Sequence, residues 1–216
     1  MKSLKLLLIV CLAATVASFS FAQGRRGMFR GSDPSGVMLL QRADVQKDLA
    51  LTDEQKGKLQ TAREEMMSEA REMFQNGGGS GDQEAMRANF QKLQDSMKKK
   101  VDAILTKEQT ARLKQINIQI SGNSIILQAD IQKELDLTDA QKAKIKDLQT
   151  KQQEAMQSLR EKAQNGEIER EEMTEIMAKN QKAMDTELGK VLTDANKAKL
   201  KEMSGKEFKA DEDKGN

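Results

Sequence analysis

Met173 and Met177 stand one helical turn apart, a spacing that lets two thioethers face one soft ion such as Cu(I). Such a site needs His or Cys to complete it. The chain has no His, and its single cysteine, Cys11, lies near the amino end. Glu171-Glu172 and Asp211-Glu212-Asp213 are the other groups that could do chemistry, as an acid/base pair or a Ca²⁺ cage. They sit in charge-rich segments with no loop to fold around an ion, and read as solvated faces. Without His, the commonest general base is missing. The sequence therefore predicts a non-enzyme with no metal and no cofactor. What remains is contact chemistry. Thirteen methionines supply soft, flexible side chains that suit a surface accepting many partners. The candidate contact residues are Met66, Met67, Met73, Met86 and Met97 in the first half of the chain, and Met156, Met173, Met177 and Met184 in the second. The competing reading is that they fill helical core positions. Met67 falls off the seam through Met66 and Met73, which makes it the better candidate for an exposed contact.

These methionines must ride on helices, and one five-residue pattern marks where helices begin. Leu137-Thr138-Asp139-Ala140-Gln141 has three sister copies: Leu51-Thr52-Asp53-Glu54-Gln55, Leu105-Thr106-Lys107-Glu108-Gln109 and Leu192-Thr193-Asp194-Ala195-Asn196. Each reads as a capping box. The Thr hydroxyl accepts from the N3 amide, and the Gln (or Asn196) at N3 reaches back to the Thr amide. An acid in the first turn suits the positive end of the helix dipole. Seven residues after each Thr comes a large aliphatic: Leu59, Leu113, Ile145 or Leu200. Five after it comes a small residue: Gly57, Ala111, Ala143 or Ala198. Six after it comes a base: Lys58, Arg112, Lys144 or Lys199. The basic position falls on a different face from the aliphatic one, so these four cations are candidates for a charged rim beside an apolar contact face.

The amino end reads as a secretory signal peptide, residues 1–22. Lys2 and Lys5 form the basic n-region, Leu6 to Phe21 is apolar, and Ser20-Phe21-Ala22 is a small-x-small cleavage site. Its cleavage predicts an exported or periplasmic protein that does not span the membrane. Removing these residues takes away two lysines and no acids, leaving 34 bases against 34 acids. That balance argues against nucleic acid as a partner. The mature chain would also hold no Cys and hence no disulfide. One Pro, six Phe and no Trp or Tyr, with abundant Ala, Gln, Glu, Lys and Leu, predict an all-α chain without strands.

Residues 23–36 read as a disordered Gly/Arg-rich arm carrying Arg25, Arg26 and Arg30. From there the chain says everything twice. Asp44-Val45-Gln46-Lys47-Asp48-Leu49 is echoed by Asp130-Ile131-Gln132-Lys133-Glu134-Leu135; Thr52 to Thr138 is 86 residues, and Thr106 to Thr193 is 87. Each copy runs short helix, long helix, turn, long helix, short helix, with unit 1 at 37–120 and unit 2 at 124–204. The turn is the glycine run after Asn76 in unit 1 and Asn165-Gly166 in unit 2. Two long helices joined by a short turn must lie antiparallel. One such hairpin has little to bury its apolar stripes under, so the two units are expected to cover each other. Residues 205–216 read as a disordered charged tail.

Paired Leu-Thr-x-x-Gln boxes resemble the LTXXQ-motif family of Spy/CpxP-like periplasmic proteins. The resemblance is closest at Ile131 to Lys142 and at Val101 to Gln109, and covers most of the mature chain. It implies tandem Spy-like units in one chain, an intramolecular pseudo-dimer or a homodimer, and binding of unfolded protein clients without ATP on an apolar face. It equally implies a regulator that docks on the outer domain of a membrane sensor under envelope stress. A structural coiled-coil spacer is the third reading. The spacing between boxes within a unit, 54 and 55 residues, is tight for the family, and the His that its metal-sensing members use is absent here.

Overall fold

In the computed structural model, residues 36–75 and 83–210 are described, and every regular element among them is helical. A 3₁₀ turn (Val37–Gln41) leads into α1 (Ala43–Asp48), α2 (Asp53–Gln75), α3 (Gln83–Ile104) and α4 (Lys107–Ser121). A second 3₁₀ turn (Gly122–Leu127) leads into α5 (Ala129–Glu134), α6 (Asp139–Gln164), α7 (Arg170–Val191) and α8 (Asp194–Met203). The stretch expected as a signal peptide, the arm up to Ser35, the glycine run and the Asp211-Glu212-Asp213 cluster lie outside the described residues, as do the side chains of Met86 and Phe90.

Four helices, α2, α4, α6 and α8, start where the boxes say. Thr106, Thr138 and Thr193 each sit extended and accept from the amide three residues on, while Gln109, Gln141 and Asn196 bond back to the Thr amide. Thr52 and Gln55 exchange the same two bonds. The box leucine has a second task, at the end of the preceding helix. Ala50 takes a left-handed conformation (φ 49°), its N–H donating to Lys47 O and the Leu51 N–H to Gln46 O. Asp136 (φ 52°) and Leu137 repeat this after α5. That pair of bonds satisfies carbonyls a helix end would otherwise orphan, and drops the following leucine back onto the helix it has just left. Within one box, Leu closes one helix and Thr opens the next.

α2 packs on α3 and α6 on α7, so each long helix finds its partner inside its own unit. The apolar residues form two clusters at the box ends. The first joins Val37, Leu40, Val45, Leu59, Met97, Val101 and neighbours. The second joins Ile125, Ile126, Ile131, Ile145, Leu188 and theirs. Fully burying an aliphatic side chain contributes about 2 kcal/mol, so each cluster anchors its unit. Burial then thins along the hairpins, with Leu159 near the far end of α6 as the exception. In α2, Leu59 and Ala62 are buried, Met66, Ala70 and Met73 half-buried, and Met67 exposed. In α6, Ala155 faces solvent, and Gln152, Met156 and Leu159 take the inward positions.

The units meet where the sequence expected nothing to hold them. Instead of stripe covering stripe, α4 supplies both cores: Leu113 and Ile116 belong to the first cluster, and Ile118 to the second. α8 packs on α4. Residues 205–210, expected as part of a charged tail, run back over unit 1, where Phe208 packs against the first cluster. The reason is that Phe208 is a lone apolar residue with an apolar place to go.

Candidate functional site

The repeated box is a clasp. Gln55 Nε2 donates to Ile104 O at 3.0 Å and to Gln109 Oε1 at 2.7 Å; Gln109 Nε2 donates to Leu49 O at 3.1 Å. Unit 2 repeats the set. Gln141 Nε2 donates to Val191 O at 2.9 Å and to Asn196 Oδ1 at 2.8 Å, and Asn196 Nδ2 donates to Leu135 O at 3.0 Å. Each pair of boxes thereby ties four helix ends together and consumes carbonyls at two of them. Leu51, Leu105, Leu137 and Leu192 are buried beneath. The sequence revealed each cap but not the bond between caps. Its only signal was two side-chain amides at matching depth in each unit, Gln55 with Gln109 and Gln141 with Asn196.

The four basic positions differ. Lys58 pairs with Glu54 one turn back at 2.7 Å. Lys199 pairs with Asp136 at 2.7 Å, holding that carboxyl below its ordinary value. Arg112 holds Asp48 in a two-pronged pair, Nε to Oδ1 at 2.6 Å and Nη2 to Oδ2 at 3.0 Å, and also donates to Lys206 O at 2.6 Å. The Arg112 hydrogen bond is the main reason Asp48 titrates low, burial working against it. Lys144 is exposed.

The methionines divide as well. Met97 and Met184 are buried in the two cores. Met66, Met73, Met156 and Met173 are half-buried along the hairpins. Met67 and Met177 stand in solvent, at 54% and 38% exposure. Met173 and Met177 therefore do not share one environment, and no group of three or more His, Cys, Asp or Glu side chains among the described residues is placed to hold a metal. Glu171 and Glu172 are exposed in the first turn of α7, where the helix dipole accounts for them. An open groove of about 520 Å³ lies beside α3 and α4, with Val37, Val101 and Leu113 in its wall and Lys98, Lys107 and Lys114 at its edge. No helix among the described residues is long and apolar enough to cross a membrane.

Compared with protein-family models, curated proteins and solved structures, the chain matches none of them.

Proposed function

We propose that this chain is an exported, ATP-independent chaperone-like protein that holds unfolded or partner proteins on the methionine-bearing faces of its two hairpins. The observation that carries this reading is the thinning of burial away from the boxes. A hairpin two helices thick covers each apolar stripe from one side only, and Met66, Met73, Met156 and Met173 stay half-exposed with Met67 and Met177 beside them. Flexible thioethers conform to many partner shapes at low cost. Export rests on the basic, apolar and small-x-small pattern of residues 1–22. Lys144 fits a cationic rim directly, whereas Lys58, Arg112 and Lys199 first have to leave the carboxylates they hold. A binding role without a catalytic step suits a chain that has no His.

The test is suppression of client aggregation by the mature protein without nucleotide. Near-stoichiometric suppression is expected for several unrelated clients, reduced several-fold in a Met67→Glu/Met177→Glu double variant that keeps its helicity. No suppression with any client, alongside one tight partner in a pull-down, would replace this reading with a regulator that docks on a membrane sensor.

A further inference from the structure

Residues 204–208 lie across unit 1 in a seat that grips main chain. Gln119 Nε2 donates to Ser204 O at 2.6 Å and to Lys206 O at 2.8 Å, while Gln119 Oε1 accepts from the Phe208 amide at 2.7 Å. Arg112 adds a second donor to Lys206 O. One side-chain amide thus serves main-chain acceptors and a main-chain donor on the same stretch, where the chain turns out of α8 at Gly205. The strap's apolar anchor is Phe208. Its ring packs against the first core, and the Arg42 guanidinium lies 5.9 Å from its centroid.

We infer that this seat is a binding site for a polypeptide segment that leaves a helix end through a glycine turn and carries an aromatic side chain three residues on, with the chain's own strap, residues 204–208, as its resident occupant. Recognition through main-chain atoms plus one apolar anchor leaves most other side chains free to vary, Gly205 excepted, because a Cβ there would meet Gln115. The strap states the chemistry of the occupant: a main chain that turns at Gly205, with Phe at the anchor point. Unit 2 has no second seat, because the position matching Arg42 is Gln128 and the one matching Gln119 is Lys206. There the core takes Ile118 instead. The seat is separate from the hairpin faces, and a tethered occupant competes at millimolar effective concentration. An outside segment must therefore displace the strap, and weakening the strap must strengthen binding in trans.

The probe is a labelled synthetic peptide copying Ser204 to Ala210. The Phe208→Ala full-length chain should bind it at least tenfold more tightly than the unaltered chain. Adding Gln119→Ala should abolish the gain, and a peptide with Ala in place of Phe should not bind. Equal binding by the unaltered and Phe208→Ala chains, or a gain that survives Gln119→Ala, overturns the inference. Hydrogen exchange on the unaltered chain supplies a test that does not depend on the variant folding. Saturating peptide should speed exchange at the Phe208 amide by releasing it from Gln119, and unchanged exchange there counts against the seat. Aggregation suppression by the hairpin faces is read separately, so either proposal can fail alone.

Discussion

Gly57 sits inside α2 with nothing within 4 Å of where a Cβ would be, and its sister positions already hold Ala111, Ala143 and Ala198. An exposed helical Gly costs roughly 1 kcal/mol against Ala. Gly57→Ala should therefore stabilise unit 1 by about that amount, seen as a higher urea midpoint at unchanged slope. The box amides predict the opposite sign. Gln55→Ala loses the reach to Thr52 along with bonds to Ile104 and Gln109, and should cost about 2 kcal/mol. Because Gln55 and Gln109 bond each other, the double Ala variant should cost less than the sum of the singles by about 1 kcal/mol. The caps were legible in the sequence because a Thr and a Gln three residues apart satisfy each other locally. The clasp was not, since its partners stand 54 residues apart and nothing in either box names the other.

At the scale of elements, α4 decides how the halves connect. Ile116 and Ile118 are both buried, at 0% and 4% exposure, yet belong to different cores. Residues two apart on a helix point to nearly opposite sides. Truncating either to Ala should cost about 3 kcal/mol. Hydrogen exchange should localise the damage: Ile116→Ala loosens α1 and the base of α3, and Ile118→Ala loosens the second 3₁₀ turn and α5. Leu113, Ile116 and Ile120 recur by threes and fours, so helical periodicity makes them legible as one stripe. Ile118 is not legible, because a single apolar residue on the far face makes no stripe, and its duplicate position, Gly205, carries no side chain to echo it. The same locality explains the strap. Composition marked residues 205–216 as charged tail, whereas one aromatic and one distant Gln hold part of it down.

For the molecule as a whole, the absence of His removes the side chain whose ordinary charge change falls near neutral pH. The carboxyls held low are Asp48 by Arg112, Glu54 by Lys58, Asp136 by Lys199, and Glu108 by its own backbone amide and Thr106. A depressed carboxyl stabilises the fold above its unfolded value and loses that effect as pH falls through its folded one. Lys100, held charged by Glu65 and Glu69, works in the opposite direction and weakens the fold only as pH climbs past its ordinary value. Thermal midpoints should thus stay level from about pH 5 to pH 9 and drop below about pH 4. Asp48→Asn should lower the plateau and soften the acid drop.

Phe208 gives the fold a direction in time. Polypeptides leave the ribosome amino end first, so Leu39 and Leu40 emerge long before the ring that rests against their cluster. Unit 2 can fill its own interior as it appears, using an isoleucine already made. Unit 1 waits for a residue made after all of unit 2, and a nascent chain halted at Met203 would carry an older half still unfinished beside a younger half already complete.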